Sequence, residues 1–456
     1  MPVYDRSVPQ ASLSVFDAII IMVGLVVGIG IFRTPSLVAA NVESELAFLA
    51  VWVAGGFVTL IGALCYAELS AAHPHAGGEY HFISRAYGKP VAVLFGWARA
   101  SVIQTGAIAG VAFVLGDYAA QILPLGAYGP ALYAALAIIV FTGINVVGTL
   151  QSKRLQVAIT IVEIGAVAAI IGFGLFGVPG PAPALEAQAS GSAALAMAMI
   201  FVLLTYGGWN ETAYLTGELK DAPRNIAKVL VLGTVILTTL YVLTNVALLS
   251  ILGLDGLRAS QAVAADMMKQ VAGPSGALIV SIAILVAAVS TLNATIFTGG
   301  RVYFVMARDL TLLPRVGEWD ERRRNPANGL LAQGIVALAL VAMGAATRDG
   351  FQAMVDYTAP VFWGFLLLTG VAVIVLRLRE PERVLTFKAP LYPLTPILFC
   401  LTCGYMLHAS LAYTGVSALI GLAVLAAGAP LLLFRRTSEK ARSKHSLAPA
   451  TATLPD

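Results

Sequence analysis

Read as a string of apolar and polar positions, the chain alternates long hydrophobic runs with short polar interruptions. Twelve runs approach or exceed the roughly 20 residues that a helix needs to cross a bilayer. They cover 15–41, 46–71, 91–122, 130–148, 155–177, 194–217, 228–252, 275–305, 328–347, 352–377, 393–413 and 416–434. The longer ones must tilt or extend past the hydrocarbon layer. Two runs are interrupted from within. Gly28 and Gly30 sit in the middle of the first, each costing about 1 kcal/mol relative to alanine in a helix interior. The stretch Tyr206-Gly207-Gly208-Trp209-Asn210-Glu211 interrupts the sixth. A lone glycine pair fits close helix packing. Two interrupted spans at corresponding places in the two halves of a chain point instead to a binding site made of opened backbone.

Composition turns this pattern into a fold class. The 456 residues are 59% hydrophobic and 11% charged, against about 25% charged in soluble domains. A water-soluble domain is excluded. The expectation is one all-α polytopic membrane domain over residues 1–436, with about 12 transmembrane helices. The proline-rich connection 178–183 is read as the seam between two repeats, 15–177 and 194–377, with helices eleven and twelve (393–434) outside them. Residues 437–456 read as a disordered cytoplasmic tail. The polar start, residues 1–14, shows no cleavable signal peptide.

The placement of Lys and Arg sets an orientation. With the N-terminus inside, only Arg258, Lys269 and Arg348 of the 28 basic residues fall in outer connections. The positive-inside rule then puts both termini in the cytoplasm, in a plasma membrane read as a bacterial inner membrane. Cys65, Cys400 and Cys403 all lie in apolar runs, so neither a disulfide nor a metal site is expected. His73, His75 and His81 read as solvated loop histidines. No Ser–His pair, H-E-x-x-H or paired-Asp motif lies in the spans, which argues against an enzyme, and no cofactor or metal is called for.

Several stretches in a fixed order carry a resemblance. They are Gly28-Ile29-Gly30-Ile31-Phe32 with Pro35, Ala67-Glu68-Leu69, Gly77-Gly78-Glu79-Tyr80 and Ala86-Tyr87-Gly88. Further on come Gly207-Gly208-Trp209-Asn210, Gly217-Glu218-Leu219-Lys220-Asp221 with Pro223-Arg224-Asn225, Arg301-Val302-Tyr303 with Ala307-Arg308-Asp309, and Leu376-Arg377-Leu378-Arg379 with Phe387-Lys388-Ala389-Pro390. Together they resemble the amino acid–polyamine–organocation (APC) superfamily, in its L-amino-acid transporter-like branch, over residues 15–430. The resemblance implies a LeuT-like fold, a 5+5 inverted repeat with helices 1 and 6 broken, that moves amino acids by alternating access.

The chemistry of the interruptions agrees. A zwitterion needs donors for its carboxylate and acceptors for its ammonium. A break at Gly28–Gly30 frees N–H groups at the start of the second half-helix, where the helix dipole also favours an anion. Carbonyls left near Val26 suit the ammonium, and Tyr206 to Asn210 offer the same from the other half. By resemblance, the amides of Ile29 and Gly30 take the carboxylate, and the carbonyls of Val26, Leu204 and Gly207 take the ammonium. The substrate-site candidates are therefore Val26, Gly28, Ile29, Gly30, Ile31, Gln104, Leu204, Tyr206, Gly207, Trp209 and Asn210. Two departures stand out. Ile29 replaces the small residue usual between the two glycines, and Leu204 falls where the family places an aromatic gate. Trp209 or Trp363 are the candidates to compensate.

Charged and polar groups inside spans are the remaining clues. Glu163 is an intramembrane acid where many sodium-independent relatives place a Lys, and it is a candidate for carrying a proton or attracting a cation. Ser290, Thr291 and Asn293 of span eight are the groups expected to meet it. Gln104 aligns with an Arg of the family's cystine/glutamate exchanger, which argues against an acidic substrate. Arg33 and Arg99 are expected to snorkel to the interfaces. Glu68, Glu79 and Glu218 are expected to pair with Arg85, Arg224 or Arg301 near the inner face. The resulting expectation is secondary transport of neutral L-amino acids, as an exchanger or a proton-coupled symporter. The rivals are a cationic amino acid or polyamine permease and a non-transporting amino-acid sensor. Expected partners are the amino acid, a proton or sodium ion and lipid, with no nucleic acid and no obligate protein.

Overall fold

The computed structural model describes residues 13–75, 77–147, 153–177, 191–309, 315–320, 325–347, 349–413 and 415–434. The expected tail, the proline-rich seam and Arg348 lie outside them. Helix α1 (Val15–Val26) starts from a reciprocal cap: Ser14 Oγ accepts from the Asp17 amide, and the Asp17 carboxylate accepts from the Ser14 amide. The side on which α1 begins is called inner below. After Val26 the helix stops, Gly28 is extended (φ −89°, ψ −171°), and the chain restarts as 3-10 helix Ile29–Phe32 and then α2 (Thr34–Ala39). Pro35 sits in the first turn of α2, where a missing N–H costs nothing.

Helices α3 (Glu45–Ala72) and α4 (Gly78–Tyr87) follow, the latter a short helix on the inner side. The third span runs without a gap from α5 (Lys89–Ala98), through a π-turn at Arg99–Ile103, into α6 (Gln104–Ile122). Next come α7 (Gly129–Val147) and α8 (Lys153–Phe176). The sixth span opens like the first. Helix α9 (Ser192–Thr205) ends, Gly208 takes a left-handed conformation (φ +107°), and 3-10 helix Trp209–Gly217 continues inward.

Helices α10 (Ala222–Ala259) and α11 (Val263–Asp309) are each kinked, at Gly253 (φ +64°) and Gly273 (φ +69°). Each kink separates a long span from a short helix on the outer side, where the sequence suggested only a loop. Then come α12 (Ala327–Ala345), α13 (Gly350–Arg379), α14 (Leu394–Tyr413) and α15 (Gly415–Ala426).

The protein is all-α and polytopic: among the described residues, ten helices are long and apolar enough to cross a membrane. All twelve expected spans appear as helix. The first falls short of that length because it is broken, and the apolar stretch counted in the fifth is Ile161–Phe176. Membrane spans must satisfy their backbone internally, which is why apolar runs translate so directly into helices. Leu132, Leu136 and Ile139 of α7 and Leu394 and Leu401 of α14 are exposed on the outside of the bundle, as lipid-facing residues should be.

Contacts between the halves come in matched sets. Helix α1 packs on α10 as α9 packs on α3, α8 packs on α11 as α13 packs on α6, and α7 packs on α11 as α12 packs on α6. The most extensive pairing, α3 with α10, is made close by small residues, with Gly56 lying directly against Thr238.

Candidate functional site

The two opened spans meet. A Cβ placed on Gly30 would touch Thr205 Cγ2 at 3.4 Å, and one on Gly208 would lie 3.3 Å from the Leu25 carbonyl oxygen and from Val26 Cγ2. Thr34 and Thr205 are hydrogen-bonded through their hydroxyls at 2.8 Å, tying the outer half of the first span to α9. A 3-10 helix leaves its first three N–H groups without intrahelical acceptors. Counted from the cap, these are the amides of Gly28, which turns back to the Val26 carbonyl, and of Ile29 and Gly30, which are left free beside the end of α9.

The carbonyl side is more occupied than the sequence suggests. The Val26 carbonyl accepts from the Tyr241 hydroxyl at 2.6 Å and from the Gly28 amide at 2.6 Å, and the Leu204 carbonyl accepts from the Gly207 amide at 3.0 Å. Tyr241, on α10 and 1% exposed, also donates toward the Thr205 carbonyl at 3.2 Å. One phenol thus bridges the ends of both outer-going and inner-going half-helices. Sequence reasoning missed it, because a tyrosine in an apolar span is ordinary core material until its partners are known.

The other candidates divide into two groups. Tyr206 packs at a tilt against Trp52 and Tyr241 and donates to the Trp52 carbonyl at 3.1 Å. Asn210 accepts from the Gly208 amide (3.3 Å) and donates to Glu79 (3.1 Å), so it closes the second opening from below. Trp209 packs edge-on against Tyr66 and Phe399. Gln104 is buried and donates to the Thr295 carbonyl at 2.9 Å, joining the third and eighth spans. The Ile29 side chain lies outside the described residues.

Glu163 is buried, with Oε1 unpaired, and close enough to Tyr241 to act on it electrostatically. Of its expected companions, two have contacts with other residues. Asn293 accepts from Asn145 of α7 at 2.6 Å, and the Thr291 carbonyl accepts from Thr295. Asn145 approaches span eight from the adjacent helix, a relation that no spacing in the sequence displays.

Two charged networks flank the site. On the outer side Arg33 does not snorkel. It is 2% exposed, is ion-paired to Asp117 (3.5 Å) and Asp349, and donates to Ser36 (2.6 Å) and Gln261 (2.8 Å). Two acids on other helices hold it, which removes the reason to reach water. On the inner side Arg99 donates to both oxygens of Glu211 at 2.6 Å and to Glu79 at 3.4 Å, and its guanidinium lies over the Tyr214 ring. The expected pairings of the inner acids are corrected accordingly. Glu68 binds Arg377 in a two-pronged pair at 2.6 Å, Arg85 binds Glu380, Arg224 pairs with Asp221, and Glu218 is exposed. The Arg301 side chain lies outside the described residues.

Below the inner network His75 and His81 stack at 4.3 Å. The Nδ1 of His75 accepts from the Gly77 amide, and among the described residues no group of metal-ligating side chains is assembled. Asp117 and Asp356 went unremarked in the sequence, although both lie inside apolar runs. The rule that intramembrane acids are functional candidates would have flagged them.

Comparison with known proteins gives a consistent picture. The sequence profile described as amino acid permease matches residues 13–428. The chain is 29% identical over 409 residues to the b(0,+)-type amino acid transporter 1 of Mus musculus, covering 88% of this chain and 82% of that one. The Homo sapiens protein of the same name matches equally, at 29% over 409 residues. The large neutral amino acids transporter small subunit 2 of Homo sapiens is 30% identical over 423 residues, covering 90% of this chain and 78% of the relative.

Proposed function

The chain belongs to the amino acid permease family, and from that premise we propose that it transports neutral L-amino acids across the membrane by alternating access. The observation that carries the proposal is the meeting of two opened spans at mid-bundle, with the free amides of Ile29 and Gly30 set beside α9. The carboxylate of the substrate binds those amides, and its ammonium displaces or shares the Tyr241 hydroxyl at the Val26 carbonyl. The matched contacts of the two halves fit two repeats, 15–177 and 194–377, that rock about this site. With both the Arg33 and the Arg99 networks formed, the arrangement is that of a site shut from either side. The basic residues favour both termini on the cytoplasmic side.

The test is Gly30→Val. Valine at this position crowds Thr205 and covers the amides, so binding of a neutral amino acid, read by thermal shift, should vanish while the protein still folds. Wild-type affinity in the variant would end the proposal. A sensor that does not transport is separated by flux: purified protein in liposomes should exchange labelled for unlabelled substrate. We take the chain to do so alone. Its three cysteines lie within α3 and α14, leaving no thiol on a connection to tether a partner.

For coupling, the proposal places Glu163 as the proton-carrying group, because a buried carboxyl beside Tyr241 reports directly on the first opening. A proton shifts such an equilibrium only by binding one state more tightly than the other. Uptake in sodium-free buffer should rise with an inward proton gradient, and Glu163→Gln should remove that dependence while exchange continues. Identical behaviour of the two proteins would reduce Glu163 to a structural group.

A further inference from the structure

On the inner side, the ends of α3 and α13 and the connection 380–393 frame a cavity of about 210 Å³. No residue of the two opened spans lines it. One water needs about 10–15 Å³ of such space, so the cavity has room for a polyatomic group.

Its polar wall is an ion network with a cation left over. Glu68 spends both carboxylate oxygens on Arg377, at 2.6 Å each, and one of them also accepts from the Ala389 amide at 2.7 Å. Glu380 is shared by Arg85 and Arg383. Lys388 lines the same cavity, is exposed, and has no hydrogen bond or ion pair among the described residues. Four cations thus stand against two carboxylates. Arg379 and Glu382, the other charged residues of this stretch, do not line the cavity and cancel each other. A positive surplus at the inner ends of membrane helices attracts an anion.

The rest of the surroundings say which kind of anion. Leu69, Val373 and Leu376 give the cavity an apolar wall. Beside it Leu378, Val384 and Leu391 are 74%, 90% and 77% exposed. Large apolar residues so exposed, next to cationic side chains, belong at the level where lipid headgroups meet acyl chains. A soluble anion needs no apolar wall, and an acyl chain alone needs no cations.

We propose that this cavity receives the phosphate of an anionic phospholipid from the inner leaflet. Lys388 is the free cation that meets it, while Arg377 and Arg383 keep their carboxylates and add to the positive field. The glycerol and the upper part of the acyl chains lie against the apolar wall. The lipid bridges the ends of α3 and α13, one from each half of the chain.

The test titrates dioleoyl phosphatidylglycerol, dioleoyl phosphatidylcholine and inorganic phosphate into the full chain purified in detergent, and follows the Tm, which rises when a ligand binds the folded state. Phosphatidylglycerol should raise it at low mole fraction, and the other two should not. Lys388→Gln has no bond to lose and should fold as wild type. It should weaken phosphatidylglycerol at least about tenfold, as when a charge-assisted hydrogen bond is lost, and Lys388→Arg should restore binding. Lys228→Gln removes an exposed lysine from the inner start of α10, outside the cavity, and should change nothing. An equal rise with phosphatidylcholine would overturn the need for an anion. An equal rise with inorganic phosphate would overturn the lipid and give the cavity to a free anion. Equal weakening in Lys388→Gln and Lys228→Gln would reduce the effect to surface charge and overturn the site. So would full binding in Lys388→Gln, or no rise with phosphatidylglycerol in the wild type.

Discussion

At either end of the third span one arginine holds two carboxylates, yet the two arrangements bury opposite charges. On the outer side the cation is the buried member: Arg33 is 2% exposed, while the side chains of Asp117 and Asp349 are 18% and 21% exposed. On the inner side the anion is buried. Glu79 is 6% exposed and accepts from the Tyr66 hydroxyl at 2.5 Å and from Asn210, as well as from Arg99. Burial raises the proton affinity of Glu79 against the opposing pull of Arg99. Arg33 at the outer end of the first span and Glu211 in the inner half of the sixth are thus clipped to one common helix from opposite sides. When the outer clip opens, its acids can turn to water. Opening the inner one strands a carboxylate among apolar and aromatic groups.

The largest expected effect follows from that asymmetry. Arg99→Ala leaves Glu79 and Glu211 without their cation, and removing one partner of a buried pair typically costs about 3–5 kcal/mol. The Tm in detergent should fall further than in any other single variant of the two networks, and exchange should drop at least about tenfold. Adding Glu79→Gln to the same chain should recover part of the Tm. Equal losses in Arg99→Ala and Arg33→Ala, with no recovery, would erase the distinction drawn here.

A second contrast is acid sensitivity. The inner side carries a further ion group, in which Glu380 pairs with Arg85, Arg383 and, at 3.8 Å, His73. Burial, aided by Arg383, depresses the His73 imidazole to about 4 from its usual 6.5. The folded protein therefore binds fewer protons than the unfolded chain between these values. Stability is present above pH 6.5 and is lost as pH falls toward 4, by up to about 3 kcal/mol at 1.36 kcal/mol per unit. Thermal unfolding between pH 7.5 and 4.5 should show the loss, and His73→Gln should flatten it. A variant with an unchanged slope would assign the acid sensitivity elsewhere.

Arg33→Ala is expected to have the smallest effect, about 2 kcal/mol, the scale of hydrogen bonds to a charged group whose partners can rehydrate. Its signature is accessibility rather than stability. A reporter cysteine at Ser36, which now accepts from Arg33, should react faster with a membrane-impermeant thiol reagent added outside. If labelling is unchanged, Arg33 does not hold the outer half of the first span shut.

How much of this was legible in the sequence depends on the range of the interaction. The spans could be read because membrane helices obey a local rule, and the openings because glycines mark both. Pairing of charges could not be read. Arg33 and Asp349 are 316 residues apart, and Asn145 and Asn293 are 148 apart. The expectation for Glu79 looked to Arg85, Arg224 and Arg301, whereas the fold delivers Arg99. The kinks at Gly253 and Gly273 were signalled only by Gly273-Pro274, which marks a helix start as readily as a bend. Tyr241 gave no sign at all.

The π-turn at Arg99–Ile103 sets the phase of the whole third span. An added residue in one turn rotates everything beyond it by about 100° relative to a plain helix. Arg99 and Asp117 are about 27 Å apart along one rod, and only with this offset does the first face the sixth span while the second faces the first. The turn works like a keyed coupling on a shaft, fixing the angle between two gears at its ends. Regularising it would leave every side chain in place along the axis and still turn Asp117 away from Arg33.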